Sequence, residues 1–358
     1  MSTQRFFPCE QCGAKLKFNI TQGDLKCTYC NHINKITRKY DNLEEQDYNE
    51  KIVELELLED EYDVDIEQKC PNCASVFTQD KDVYSTLCPY CGTAVVNEVS
   101  LYRPIKPQGV LPFKVTKKQA QESFSKWIGS HWFSPSKLKN ISKDQIALKA
   151  IYMPYWTYDT NTHTQYTGRR GDVYYESQRY SVMVNGRRET RVHDVQKISW
   201  TRVSGEIYKV FDDVIVSASK SLAHSFDNWD LENLVDYDKA YLSGFESEVY
   251  TIDLDDGLQN AKIKMLNAIK QDIRYQIGGD KQEITSLKSD YYDITFKHIL
   301  LPIYSSSFTF NGKIYHYIIN GRDGLIKGER PYSKVKIGFA VLAGICVAVG
   351  GYYYLNMM

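Results

Sequence analysis

The stretch TNTHTQYTGRRGDVYYESQRYSVMVNGRRETRVHDVQKISWTRVSGEIYKV, residues 160–210, decides the fold. Polar and apolar residues alternate with period two through most of it, and Asn185-Gly186 is a two-residue hairpin signal. The alternation extends over Ile151 to Ser219, which predicts an antiparallel sheet whose strands are divided by turns. Strands return at ITFKHILLPIY (294–304) and SSFTFNGKIYHYIING (306–321), followed by the turn Asp323-Gly324.

Helical periodicity interrupts this pattern twice. In VTKKQAQESFSKWIGSHW (115–132), Thr116 is a suitable cap, Ala120, Phe124, Trp127 and Ile128 share one face, and Gly129 marks the end. A second helix is predicted over 256–276, with Leu258, Ala261, Met265, Ile269 and Ile273 as its apolar stripe. Helices beside an antiparallel sheet define the class as α+β. The two halves also look alike: PFKVT, helix, IYMPYWTYDTNTHTQY matches VYTIDL, helix, HILLPIYSSSFTFNGKIY, with Pro154 and Pro302 at corresponding places. An internal duplication accounts for this, and so does the commonness of amphipathic helices and edge prolines.

Eight of the nine cysteines form two sets of identical spacing, C-x2-C-x14-C-x2-C: Cys9, Cys12, Cys27, Cys30 and Cys70, Cys73, Cys88, Cys91. Paired CxxC knuckles supply the four thiolates that tetrahedral zinc requires, from segments too small for a core of their own. Gly13 and Gly92 follow their knuckles where positive φ is needed, and Pro71 and Pro89 stiffen the second pair. The alternative, a disulfide framework, sits poorly with an N-terminus that lacks a secretory signal. The expectation is two structural Zn2+ ions in two ribbons. Four cysteines leave no coordination position for a reacting water, so neither site is hydrolytic. Cys346 falls in the apolar tail as a small hydrophobe.

Charge narrows the partners. The net formal charge is -1, so the whole chain does not attract phosphate. Residues 1–40 carry seven basic and two acidic residues, and Lys15, Lys17 and Lys26 are candidate contacts for nucleic acid or an acidic partner. The following segment, 41–68, has thirteen acidic residues and one basic, Lys51, which opposes a polyanion. It reads as a solvated linker in which Ile52, Val53, Leu55, Leu57 and Leu58 form a short helix or strand docked between the ribbons. Arg169 and Arg170 in GRRGDVYY are the one place where basic and aromatic residues interleave, and the 28 tyrosines offer stacking platforms or simply strand packing.

No GxxxxGK[ST], GxGxxG, HExxH or GxSxG occurs, and no cysteine remains beside a histidine as a nucleophile, so a non-enzymatic protein is expected. His131, His163, His193, His224, His298 and His316 are scattered and read as surface or hydrogen-bonded residues.

Residues 337–358 are 22 consecutive uncharged positions, enough at 1.5 Å per residue to cross a hydrocarbon core of about 30 Å. Lys327, Arg330, Lys334 and Lys336 precede them, which places the N-terminal bulk in the cytoplasm of a single-pass cell-membrane protein. Ala340, Gly344 and Ala348 fall four apart and form a small face for contact with another helix, including one from a homo-oligomer. The expected organisation is zinc ribbon 1 (1–40), acidic linker (41–68), zinc ribbon 2 (69–99), α+β domain (100–333) and transmembrane tail anchor (334–358).

The segments CPNC, CPYCG, LPFKVTKKQA, SHWFSP, IYMPYWTYDTNTHTQYTGRRGDVYY, FDDVIVSAS, WDLENL, AYLSGFESEVY, IGGDKQ, TFKHILLPIY and NGRDGLIKGERPYS together resemble a bacterial zinc-ribbon family. Its members are often labelled primosomal protein N-prime, superfamily II helicase, or transcription-factor-IIB-type zinc ribbon. The helicase label finds no nucleotide-binding loop here. The resemblance implies membrane proteins encoded beside phage-shock protein A and flotillin-like scaffolds, which help bring the phage-shock protein to the membrane under envelope stress. The function expected is therefore a tail-anchored adaptor in the lipid bilayer that presents its ribbons and sheet domain to a cytosolic protein. The alternative is a membrane-held nucleic-acid accessory factor in replication or transcription.

Overall fold

In the computed structural model, the residues described are 7–37, 43–57, 66–69, 76–79, 83–87, 94–96, 105–130, 132–135, 148–184, 187–220 and 226–357. The protein is a mixed, sheet-rich assembly with four α-helices among these residues. The N-terminal module holds β1 (Leu16–Asn19), β2 (Asp24–Cys27) and β3 (Ile33–Asn34) in a three-stranded antiparallel sheet. After it come β4 (Gln46–Asp47), α1 (Tyr48–Glu56), the hairpin β5 (Ile66–Lys69) and β6 (Val76–Gln79), then β7 (Val83–Leu87) and β8 (Ala94–Val96). The body comprises β9 (Gly109–Val110), α2 (Lys117–Ser130), β10 (Lys149–Val184), β11 (Arg187–Ser217), β12 (Val235–Asp236), β13 (Glu246–Glu248), α3 (Leu254–Ile277), β14 (Lys281–Phe310), β15 (Lys313–Asn320) and β16 (Ile326–Gly328), and α4 (Lys334–Met357) follows.

The decisive stretch forms fewer and longer strands than its turn signals suggest. β10 runs unbroken through TNTHTQYTGRRGDVYY and pairs with β11 from Tyr155↔Ser217 to Val184↔Arg187. At ~3.3 Å per residue the strand is roughly 120 Å long. Gly168 and Gly171 are interior strand positions chosen for close approach. A Cβ on Gly168 would stand 2.5 Å from the Glu283 carbonyl oxygen and 2.9 Å from Ile277 Cδ1.

β14 lines the other side of β10 from Lys149↔Ser305 to Gly171↔Lys281, so three strands become two beyond Gly171. Two short strands complete a reciprocal pattern. β9, which leads into α2 and β10, lies parallel to β14, while β13, which leads into α3 and β14, lies parallel to β10. Tyr152 pairs with Pro302 and Pro154 with Leu300, so the two prolines straddle the same point of the ladder.

The second helix runs Leu254–Ile277, and its expected stripe of Leu258, Ala261, Met265, Ile269 and Ile273 is fully buried against Trp156, Tyr158, Tyr166 and Phe296. It ends where Gly278 takes φ +65°, level with Gly168, and among the described residues no helix covers the ribbon beyond. The first helix begins with a reciprocal cap, since Gln119 N donates to Thr116 Oγ1 and Thr116 N donates to Gln119 Oε1. It continues through Gly129 to Ser130, one residue past the expected stop, and Phe124 stacks on Tyr317 with centroids 4.3 Å apart.

The acidic segment is more than a solvated linker. Asp47 caps α1, Tyr48, Ile52 and Leu55 pack against the α3 core, and β4 pairs with β14, so this element docks on the body rather than between ribbons. Val53 and Leu57 remain exposed, and Leu58 lies outside the described residues. Both cysteine-bearing regions also join the body. β7 pairs with β13, and the buried Ser85 hydroxyl donates to the Phe245 carbonyl. Phe18 of β1 packs on Tyr241 and Phe245, with centroids 5.4 Å and 6.2 Å away.

Candidate metal centre and the junction at the root of the arm

The four N-terminal cysteines converge. Cys9 and Cys12 stand on one tight turn, closed by Gly13 N donating to the Cys9 carbonyl at 2.8 Å with Gly13 at φ +71°. Cys27 and Cys30 stand on a second turn, where Asn31 at φ +60° takes the part that Gly13 plays in the first. Asn tolerates the left-handed region better than other residues with a Cβ, so the second knuckle can do without glycine. Cys9 Sγ lies 3.5 Å from Cys30 Sγ and Cys12 Sγ lies 3.6 Å from Cys27 Sγ, and all four sulfurs are within 4.8 Å of one another. Tetrahedral thiolates at about 2.3 Å from an ion sit about 3.8 Å apart, so the donor set fits a closed four-sulfur metal site.

The backbone is arranged for thiolate. The Tyr29 and Cys30 N–H groups both point at Cys27 Sγ, each at 3.4 Å. They draw the Cys27 thiol down to about 6, the Cys30 N–H most strongly, against the opposing effect of burial. Cys27 and Cys9 are buried, whereas Cys12 is exposed at the rim. The other expected set, Cys70, Cys73, Cys88 and Cys91, lies outside the described residues, as do Gly92, Pro71 and Pro89.

Lys17 and Lys26 face each other across β1 and β2, and Lys17 lies over Gly244 of the body, so two of the three candidate lysines sit beside the docking edge. Arg169 is bound to Glu283, with its Nε 3.0 Å from the carboxylate and its guanidinium 5.0 Å from the Trp200 ring centre. Arg170 Nε donates to Asp172 at 2.9 Å. Both arginines are thus engaged by carboxylates. Their place is the point where three strands become two. Beyond it, Asp172–Val184 pairs with Arg187–Ser199 as a two-stranded arm, with no third strand or helix among the described residues.

The arm carries apolar side chains on both faces. Tyr175 is 67% exposed, Met183 70%, and Tyr174, Tyr180, Val192 and Ile198 are also exposed. In the histidine set, His163 stacks on Tyr208 and bonds Glu206, His193 meets Tyr180 edge-on, and His298 is buried with Nδ1 3.0 Å from the Ile105 carbonyl. Burial pushes His298 down to about 4, so it is neutral. These three stand apart and share no site, and His131 and His224 lie outside the described residues.

A cluster that the sequence did not reveal lies at the Asp159 bulge of β10, ahead of the arm, which begins at Asp172. Ladder registers shift on both sides of Asp159, and Asp213 and Asp293 adopt φ +50°. Lys297 reaches Asp213 at 2.8 Å, Glu45 at 3.0 Å and Asp159 at 3.9 Å. Glu45 is held down to about 2, chiefly by the hydrogen bond from Asp159, while Asp159 is pushed up to about 7 by burial and then by Glu45. The pair therefore shares a proton near neutrality. Burial alone would lower Lys297, but its bonds to Asp213 and Glu45 outweigh that and raise it. Glu45, Asp159 and Asp212 oxygens gather within 4.8 Å, yet the Lys297 ammonium already supplies the positive charge that a cation would bring.

Segments far apart in the chain are tied at two other places in the body. Arg322 makes a two-pronged contact with Asp230, at 3.0 Å from Nε and 2.5 Å from Nη2, joining NGRDG to WDLENL. Ser243 Oγ donates to the Leu16 carbonyl at 2.9 Å, and Phe18 N donates to the Ser243 carbonyl at 3.0 Å, which fixes the metal module to AYLSGF.

α4 is a single apolar helix with a crossing-length span, Lys334–Tyr353, of mean hydropathy 1.9 and no burial within the protein. Ala340 is half-buried, and Gly344 and Ala348 are exposed along it. Its first turn is tied to SHWFSP, where Ser333 N donates to the Phe133 carbonyl and Lys336 Nζ donates to the Ser134 carbonyl, both at 2.8 Å.

Comparison with known proteins returns one relative of similar extent. A protein of Bacillus subtilis (strain 168), named Uncharacterized protein YdjG, is 25% identical over 261 residues, covering 67% of this chain and 69% of that protein. No protein-family model matches the chain, and no solved structure does.

Proposed function

We propose that this protein is a non-enzymatic, tail-anchored membrane adaptor that offers its arm and its cysteine modules to a cytosolic protein partner. The observation that carries the reading is the arm. A two-stranded hairpin is marginally stable alone in water, and this one extends about 40 Å past the third strand with apolar residues exposed on both faces. Such a surface is suited to being covered by another protein. Both free strand edges also allow a partner to add a strand.

The metal is zinc in this reading, because four thiolates in a closed tetrahedral set favour it, and the repeated spacing extends the assignment to a second ion at Cys70, Cys73, Cys88 and Cys91. α4 crosses the cell membrane once, with Lys327, Arg330, Lys334 and Lys336 holding the bulk on the cytoplasmic side. The reciprocal pairing of β9 with β14 and β13 with β10 supports descent of the two halves from one duplicated strand-helix-strand-strand unit. A phage-shock protein A-like or flotillin-like partner in envelope stress follows from the family resemblance. The nucleic-acid alternative draws less support, since Arg169 and Arg170 are paired with carboxylates.

The test is affinity purification of the full chain from solubilised membranes, beside a variant in which residues 173–198 are replaced by a two-residue turn. A phage-shock protein A-like or flotillin-like protein recovered with the first and lost with the second is expected. Equal recovery with both overturns the role of the arm, and recovery of nucleic acid in place of protein favours the alternative.

A further inference from the structure

Where α4 leaves the body, an open cleft of about 730 Å3 lies between Trp127 of α2, Lys313 and Tyr315 of β15, and the run Ile326–Tyr332. Lys313, Lys327 and Arg330 line it against a single carboxylate, Glu329. Lys313 lies 3.7 Å from Glu329 and 5.1 Å from the centre of the Tyr315 ring. Lys327 is shared with Asp227 at 3.4 Å, and the Arg330 guanidinium stands 5.5 Å from the Tyr332 ring with no carboxylate partner among the described residues. The walls are thus aromatic and the lining carries a surplus of two positive charges, a combination suited to a phosphate attached to an apolar group.

Position selects the source of that phosphate. Tyr332 is one residue before Ser333, which caps α4 by accepting from Lys336 N at 3.3 Å, and the uncharged run begins at Ile337. At 1.5 Å per helical residue, Tyr332 to Ile337 spans roughly 7.5 Å. The polar layer of one leaflet is about 5–8 Å thick. The two carbonyl bonds that tie the first turn of α4 to Phe133 and Ser134 keep the body close to that layer. They also set Trp132, 63% exposed, and Phe133 beside it as interfacial anchors. A cleft at this depth meets headgroups at the concentration of a membrane surface, whereas a soluble phosphate gains nothing from the aromatic walls.

We propose that the cleft bounded by Trp127, Lys313, Tyr315, Lys327, Arg330 and Tyr332 binds the headgroup of an anionic phospholipid in the leaflet that α4 enters. This inference rests on the reading of α4 as a membrane anchor. It adds a lipid-composition requirement to that reading: the body is held down on anionic membrane, and the orientation of the arm follows from it.

The experiment uses the full chain reconstituted into nanodiscs of phosphatidylcholine with and without phosphatidylglycerol. Native mass spectrometry reads the lipids retained, and the loss of brominated-lipid quenching on Trp127→Phe, measured in a W132F background, reads contact at the cleft. Wild type should retain phosphatidylglycerol over phosphatidylcholine by roughly thirtyfold, as expected for two surplus charges at about 1 kcal/mol each near a lipid surface. The variant K313Q/K327Q/R330Q should bring the ratio to parity, while K15Q/K17Q/K26Q, which removes the same charge elsewhere, should leave it unchanged. Equal retention in wild type, equal loss with both variants, or displacement of the lipid by inorganic phosphate overturns the site. Flotation with vesicles of pure phosphatidylcholine separates the two claims. If wild type and K313Q/K327Q/R330Q both float while the nanodiscs show equal retention of the two lipids, the anchor stands and the site falls; if neither floats, the anchor reading falls. Matching thermal unfolding of the three proteins checks that substitution has not unfolded the body.

Discussion

Asp159 is the residue on which most of the long-range geometry converges. It is the bulged position of β10, it accepts from Asp213 N at 2.7 Å, and it shares a proton with Glu45 across a gap of more than one hundred residues. Its carboxyl is raised from an ordinary 3.8 to about 7. A raised carboxyl means the folded state holds a proton that the unfolded chain releases, so this contribution is fully present below pH 3.8 and is lost as pH rises through about 7. Denaturant unfolding of the wild type should show stability falling across that window. Asp159→Asn, which keeps a hydrogen-bond donor toward Glu45 at every pH, should flatten the profile. Gly257 is a second sensitive residue, since a Cβ there would stand 2.5 Å from Tyr158 Oη and 2.6 Å from Trp156 Cδ1. Gly257→Ala should cost about 1–3 kcal/mol by overpacking, read as an earlier urea midpoint.

The elements differ in how far the chain announced them. α2, α3 and α4 were legible because each writes its packing into its own sequence: Phe124 and Ile128 for α2, Ala261 to Ile273 for α3, an uncharged run for α4. The first cysteine set was legible from its spacing, and Cys9, Cys12, Cys27 and Cys30 converge as that spacing predicts. β10 was legible as strand but not as one strand, because Gly168 and Gly171 carry the same letter whether they break a ladder or admit Ile277 and Ile198 close to it. The pairing of β14 with β10 and the Lys297–Glu45 contact were illegible, since local periodicity holds no information about partners 252 residues apart. Ile269→Ala in α3 should lower stability by about 2–5 kcal/mol, as deletion of a fully buried side chain does. Replacing residues 173–198 by a tight turn should leave the thermal midpoint of the body in place, because none of the described core clusters includes a residue of the arm.

For the whole molecule, the architecture joins a two-stranded arm, a four-cysteine module and an apolar C-terminal helix to one large sheet. The metal module is bound to that sheet through Phe18, Leu16 and Ser243, so removal of the ion has consequences beyond the knuckles. Treatment with a strong chelator should expose Phe18 and Tyr241 together, seen as faster amide exchange at Leu16–Asn19 and Ala240–Phe245, and Cys27→Ser should reproduce it without chelator. On the proposed reading the apolar helix and the arm act in combination, because one fixes where the molecule stands and the other what it reaches. The adaptor role is tested most directly by photo-crosslinking in native membranes from a reactive group placed in turn at Tyr175, Tyr180 and Met183. Adducts to one membrane-associated protein are expected at these arm positions and not from the full chain carrying the same group at exposed Tyr275 on α3. Adducts to nucleic acid, or equal yields from the arm and from Tyr275, would contradict that role.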